Sequence, residues 1–219
     1  MGVLIRKVFF MATNIQASNV TLNELKSKFN LELVRDNGNF FPEWQTDLPE
    51  ITEVEKQVLD NVQTGYFNLI GYPSMLENIV QLSVLAPILQ LAGFFLQPLW
   101  IKSEASVNIL SEDKEVTIEG KIDVLVLKEQ LWVLVIESKR AELSIKVGLA
   151  QILAYMLATP HKPCFGLITN GGSFVFLKLV MNGTPQYSMS RVFDLVNPGN
   201  DLYSVLGVLK KIRQLFFQS

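Results

Sequence analysis

Apolar residues recur at helical spacing through the first hundred positions and at alternating or continuous spacing after Trp100, so the chain divides into a helical half and a sheet-forming half. Three Ser/Thr-x-x-Glu patterns punctuate the first half: Thr21 with Glu24, Thr52 with Glu55, and Ser74 with Glu77. Each precedes a helically spaced apolar run, which predicts three capped helices. Between the first two, the stretch from Asp36 to Pro49 is rich in Asn, Pro and aromatic residues and is expected to be an irregular packed loop. Beyond Trp100, runs of β-branched and aromatic residues at 104–110, 115–127, 131–137, 164–169, 173–180 and 187–193 predict strands. Ser144 to Leu157 interrupts them with a helical pattern, and Asn200 is the expected N-cap of a closing amphipathic helix with a basic face. Helices, strands, helix, strands, helix is the order of an α/β (α+β) fold with a mixed central sheet flanked by helices.

No composition shift marks a domain boundary, so residues 1–219 are expected to form one domain: an N-terminal helical extension over 1–73, a core over 74–193 and a C-terminal helix over 200–219. Residues 78–101 lack charge and are long enough to span a bilayer. Pro87, Pro98, Gly93 and four Asn/Gln side chains argue instead for a buried helix stopping at Gly93, followed by a strand near Leu99 to Ile101. No membrane association is expected. Arg6 and Lys7 interrupt the first apolar run, which is wrong for a signal peptide, so the expected location is cytoplasmic. Met11 is an alternative initiator, and residues 1–10 are assigned no role.

Charge narrows the chemistry. Nineteen Lys and Arg against 21 Asp and Glu leave a net charge of −2, so no global field holds a polyanion and any nucleic-acid contact must be local. One cysteine, Cys164, and one histidine, His161, exclude a disulfide framework and a Cys/His zinc site. His161, after the helix-ending Pro160, is expected on a loop surface, and Cys164, opening an apolar strand, in the core.

The runs 121–127 and 131–137 are apolar on both faces, as in central strands covered on each side. Their short connection implies an antiparallel hairpin. A three-residue loop over 129–131 would pair 128 with 132 and therefore Asp123 with Glu137, whereas a two-residue loop would set those carboxylates on opposite faces. In the first register Lys139 shares their face and Ser138 points away. Side-by-side buried carboxylates must be neutralised, by a shared proton or by a divalent cation. Mg²⁺, with Mn²⁺ as a substitute, suits oxygen ligands, and a water polarised by the cation and oriented by Lys139 is a nucleophile for phosphodiester hydrolysis. The plainer alternative is a strand end emerging into solvent with Glu137 to Arg140 as a hydrated turn.

Gly120-Lys-Ile-Asp123-Val-Leu-Val, Leu134-Val-Ile-Glu137-Ser-Lys139, Gln151-x-x-x-Tyr155 and Leu167-Ile-Thr-Asn170-Gly171, in that order, resemble the PD-(D/E)xK nuclease superfamily, and more closely the N-terminal nuclease domain of type I restriction enzyme R subunits. The resemblance covers about residues 74–180. It implies a restriction-endonuclease-like core, with 74–193 as its nuclease-like portion. It assigns Asp123 and Glu137 to Mg²⁺ and Lys139 to the attacking water. Glu77, on the preceding helix, matches the further acid that many members carry; as the third position after Ser74 it also fits a cap. Gln151 would bond near the water or phosphate, and the Tyr155 phenol would approach the nucleic-acid backbone. Lys121, Arg140 and Lys146 lie near enough to meet phosphates, and equally suit a solvated face. Asn170-Gly171-Gly172 is a hairpin turn before it is anything else.

Two departures stand out. Ile122 occupies the position of the family's proline, where only extended backbone is needed. R subunits also continue into a helicase motor, and no G-x-x-x-x-G-K-[ST] occurs here. The expected function is a metal-dependent phosphodiesterase acting on DNA, endonuclease rather than exonuclease, with a separate helicase or specificity subunit and a homodimer as candidate partners. The alternative is a non-cutting nuclease-fold protein that binds nucleic acid or serves in assembly.

Overall fold

A computed structural model describes residues 13–35, 38–71, 77–110, 116–140 and 144–217. Nine strands form one mixed sheet: β1 (Thr13–Gln16), β2 (Glu32–Leu33), β3 (Leu99–Leu110), β4 (Val116–Lys128), β5 (Leu131–Ser138), β6 (Cys164–Thr169), β7 (Ser173–Asn182), β8 (Thr184–Met189) and β9 (Phe193–Asp194). The main path runs β1-β4-β5-β6-β7-β8-β2, with β3 also on β4 and β9 also on β7. The expected mixed α/β architecture is present.

The two early capping boxes form as expected. Thr21 and Glu24 cap α1 (Leu22–Phe29), and Thr52 and Glu55 cap α2 (Glu53–Ile70), each through reciprocal side-chain and backbone bonds. Ser74, the third expected cap, lies outside the described residues. The uncharged stretch folds as α3 (Glu77–Val80), a wide π-helical turn over Gln81–Leu85 and α4 (Ala86–Leu91). Pro87 lacks an N–H and its ring crowds the carbonyl four residues back. The wide turn opens the helix at that point, with the Ala86 N–H reaching five residues back to the Gln81 carbonyl. Gly93, at φ 78°, ends the run before β3 begins at Leu99. Among the described residues no helix is long and apolar enough to cross a membrane.

Two apolar cores lie on the two faces of the sheet. α2, α3, α4 and α6 (Leu202–Leu215) cover one, meeting Leu134, Ile136, Phe165 and Leu167. α1 and α5 (Leu149–Ala158) cover the other, meeting Leu125, Val135, Ile168 and Leu177. β5 and β6 therefore bury both faces and run parallel, joined by the α5 crossover, which explains their unbroken apolar runs.

Several expectations need correction. The segment 1–73 is not purely helical, because β1 pairs with β4 and β2 with β8 at the two ends of the sheet path. The strand expected at 187–193 divides into the end of β8 and the separate β9. The helix expected from Ser144 begins as a 3₁₀ turn over Ile145–Gly148 before α5. Asn200 does cap the last helix, its Oδ1 accepting the Leu202 N–H at 3.1 Å, although Asp201 occupies the boundary position.

The hairpin differs most instructively. Lys128 pairs with Leu131, so Glu129 and Gln130 form a two-residue loop, with Glu129 at φ 55°. A regular ladder from that loop would part Asp123 from Glu137. Val133 is instead an extra residue: Leu127 pairs with Trp132 and Val126 with Leu134, and this β-bulge shifts the register by one. Val124 then pairs with Ile136, the last pair of the ladder, so the register at its end is the one that a three-residue loop would give.

Candidate active site

β3 pairs with one edge of β4 along 117–128, so β5 and β1 must share the other edge. β5 takes residues 124–128 and β1 takes 116–119, leaving 120–123 with no strand on that side among the described residues. On the β3 side the ladder also skips Asp123, opposite Glu104 at φ 49°. Asp123 thus sits where β4 is released by both neighbours, and a side chain can occupy space that a ladder would fill.

Its carboxylate does so. Asp123 Oδ2 accepts the Ser138 N–H at 2.7 Å and lies 3.0 Å from Ser138 Oγ. Ser138 points to the α3 side, as alternation requires, where Oγ lies 3.3 Å from Glu77 Oε1 and accepts from Gln81 Nε2 at 2.7 Å. Helix α3 therefore delivers Glu77 to the same strand end, and Gln81 lies one helical turn further on. Glu77 is held above its ordinary carboxylate range, first by burial and then by the Asp123 charge.

Glu137 lies on the α5 side and is 1% exposed. Lys139 Nζ is ion-paired to Glu137 Oε1 and donates to Gln151 Oε1 at 3.0 Å. Gln151 Nε2 donates to Tyr155 Oη at 2.9 Å, and Tyr155 Oη donates to the Lys121 carbonyl at 2.8 Å. One continuous chain of bonds thus joins the glutamate, the lysine, α5 and the unpaired stretch of β4. Burial, followed by the Asp123 and Glu77 charges, pushes the Glu137 carboxyl up to about 8 despite the opposing Lys139 ammonium. Among the described residues, Glu137 Oε2 has no hydrogen-bond partner. A buried acceptor without a donor is costly, and here it sits beside two further carboxylates.

Two glycines permit this packing. A Cβ on Gly148 would stand 3.2 Å from Lys139 Cε and 3.3 Å from Glu137 Cγ, and one on Gly120 would stand 2.8 Å from the Tyr155 ring. Glycine lets the start of α5 and the edge of β4 close on the site.

Glu77, Asp123, Glu137, Lys139 and Gln151 are thus brought together. Tyr155 requires correction: it is 1% exposed and spends its hydroxyl on the Lys121 carbonyl, so the phenol has no reach to a nucleic-acid backbone and acts as a brace. Burial pushes it up to about 12. Lys121 and Arg140 are exposed, and the Lys121 ammonium lies 3.7 Å from an exposed Glu104 carboxylate. Lys146 is exposed on the 3₁₀ turn preceding α5. His161 is on the surface and Cys164 is buried, as expected. The Asn170 side chain caps its turn, accepting the Gly172 and Ser173 N–H groups. Sequence reasoning missed Ser138 and Gln81. The four-residue spacing of Gln81 from Glu77 is an available signal; for Ser138, alternation shows only that it turns away from Glu137 and not that the Asp123 carboxylate reaches it.

The donor set has the chemistry of a hard-cation site: oxygen ligands, excess negative charge and one unsatisfied buried oxygen. Among the described residues, no group of three or more His, Cys, Asp or Glu already stands in metal-holding geometry. Ser138 and Lys139 occupy Asp123 and Glu137 instead.

Compared with models of known protein families, the chain matches none. No match to a curated protein is found either.

Proposed function

We propose that this protein is a metal-dependent nuclease that hydrolyses DNA phosphodiester bonds on a restriction-endonuclease-like core of the PD-(D/E)xK kind. The observation that carries this reading is the meeting of Glu77, Asp123, Glu137 and Lys139 where β4 lacks a strand partner. The order α3, β3, β4, β5, α5, β6, with a parallel β5–β6 pair, supports the core assignment.

Asp123 and Glu137, with Glu77 alongside, are the residues to hold Mg²⁺ or Mn²⁺, which would supply Lewis-acid polarisation of a water and of the phosphate. Glu137 Oε2 is an acceptor ready for such a partner. Lys139 has three N–H donors, of which Glu137 and Gln151 engage two. The third is left to orient the attacking water, and the ammonium charge offsets negative charge developing on the phosphate. Gln151 fixes the lysine, and Tyr155 fixes Gln151.

The test is cleavage of circular and linear, single- and double-stranded DNA with Mg²⁺ or Mn²⁺, using Asp123→Asn and Lys139→Ala. Each is expected to cost at least about a hundredfold in rate while the protein stays folded. Equal cutting by wild type and Asp123→Asn overturns the assignment. The Glu137–Lys139 ion pair, which neutralises the glutamate internally, favours a second reading, a non-cutting nucleic-acid-binding or assembly subunit. Heat of Mn²⁺ binding that vanishes in Asp123→Asn supports the enzyme, and no heat in wild type supports the second reading.

A further inference from the structure

A cavity of about 480 Å³ opens beside the candidate site on the α5 face, within the size range of small-ligand clefts. Its walls are aliphatic, formed chiefly by Leu149, Ile168, Val175 and Met189, with Lys146 and Val192 among its remaining lining residues. Ile168 is the strand partner of Glu137. A Cβ placed on Gly148 would touch Glu137 Cγ and Ile168 Cγ2 alike, both at 3.3 Å, so cavity wall and acidic centre are separated by a single glycine. Lys146 is exposed and, among the described residues, has no ion-pair partner.

The neutral polar side chains that line this cavity are engaged by neighbours, Ser144 Oγ accepting the Lys146 N–H. Ser173 Oγ donates to Asp194, Ser190 Oγ to the Arg191 carbonyl, and Asn170 Oδ1 accepts two turn N–H groups. What remains is a largely apolar cavity with a cation among its lining residues, bounded by the strand partner of Glu137. A nucleobase attached to its phosphate matches that layout: apolar on both ring faces, anionic at the backbone, and short enough to bridge cavity and centre.

We propose that this cavity accepts one unstacked nucleobase of the bound DNA strand, held by shape between the aliphatic walls while Lys146 meets the adjoining phosphate. The inference rests on the nuclease reading and adds to it a site that grips a base without reading its identity. Extruding a base from a stack costs a few kcal/mol and is cheapest in a single strand. Such strands are the expected preferred ligand.

The probe is a set of single-stranded oligonucleotides, each carrying one 2-aminopurine at a different position, bound to the full chain in Ca²⁺. Stacking quenches this base and aliphatic walls do not, so its fluorescence is expected to rise severalfold at one position. Val192→Trp, which plugs the cavity from a half-exposed position, is expected to abolish the rise while retaining the heat of Mn²⁺ binding. An abasic nucleotide at that position should weaken binding about tenfold, whereas exchanging A, C, G and T there should change it less than about threefold, because a good base-specific contact would discriminate by about 1–3 kcal/mol. If DNA binds and is cut but no position brightens and no abasic site weakens binding, the cavity proposal is overturned and the nuclease reading stands. Binding of free 2-aminopurine nucleotide as tightly as the oligonucleotide, read by fluorescence anisotropy, overturns it in favour of a small-molecule site. If wild type neither cuts nor takes up Mn²⁺, the reading beneath it fails, and the proposal with it.

Discussion

Glu137 concentrates the electrostatic cost of the site. Its folded carboxyl titrates at about 8, against an ordinary value of 4.5, because it is buried beside Asp123 and Glu77. Between those values the folded protein binds a proton that the unfolded chain has lost, so this group's contribution is fully present at low pH and is lost as pH rises towards 8. The cation-free thermal midpoint should therefore fall from pH 5 to pH 8, with a slope of at most about 1.4 kcal/mol per pH unit. Glu137→Gln, which needs no proton, should flatten the curve, and Mn²⁺ should raise the wild-type midpoint more at pH 8 than at pH 5; identical pH curves for wild type and Glu137→Gln would refute this. Tyr155 allows a second test. Replacing it by Phe strips the Lys121 carbonyl of its donor and Gln151 of its acceptor, a cost of about 1–3 kcal/mol for a group left unpaired. Thermal melting should show that loss. Cleavage should fall less than in Lys139→Ala, since the tyrosine acts through Gln151 rather than on the reacting atoms. Asp123, Glu137 and Lys139 were legible in the sequence because charges ending apolar strands stand out. Ser138 was not, since alternation correctly turns it away and only three-dimensional packing brings Asp123 Oδ2 and Glu77 to it.

At the scale of elements, the hairpin shows how one end register can be reached from a different loop. The apolar pattern of β4 and β5 required both strands to be covered on each face, and it left the loop length ambiguous because either register buries apolar residues. The structure chooses the two-residue loop and corrects the register with the Val133 bulge. Bulges have no strong sequence signature among consecutive Val and Leu residues, so this device was not legible, whereas the capping boxes of α1 and α2 were, being local. Deleting Val133 separates the bulge from the pairing. The remaining residues still place Leu127 opposite Trp132, Val126 opposite Leu134 and Val124 opposite Ile136, now in an unbroken hairpin, so Glu137 keeps its place relative to β4. The expected outcome is that Mn²⁺ binding and cleavage survive the deletion, as they do in Val133→Ala. A folded deletion variant that loses both would show that the local twist of the bulge, and not the pairing, sets the site.

At the scale of the molecule, the long strand β4 bridges two neighbours from distant parts of the chain, β1 from its first described residues and β5 from the hairpin that follows β4, and the site occupies the interval between them. The N-terminal segment therefore belongs to the sheet that frames the chemistry. Its sequence reads as helical because β1 and β2 are only four and two residues long, too short to show a period. On the proposed nuclease reading, the same architecture sets how nucleic acid is held. With a net charge of −2 spread over 219 residues, attraction must come from the few cations beside that interval: Lys121, Arg140 and Lys146. Each phosphate neutralised on a single strand contributes about −0.7 to the slope of log affinity against log salt concentration. Three contacts give a slope near −2. Lys121 already has Glu104 nearby, which offsets part of its share. Lys146→Ala and Arg140→Ala should each make the slope shallower by about 0.7 without altering Mn²⁺ uptake, and Lys121→Ala should do so by less. A wild-type slope of about −6 or steeper, or one that the triple substitution leaves unchanged, would place the binding face elsewhere on the molecule and separate it from the acidic centre.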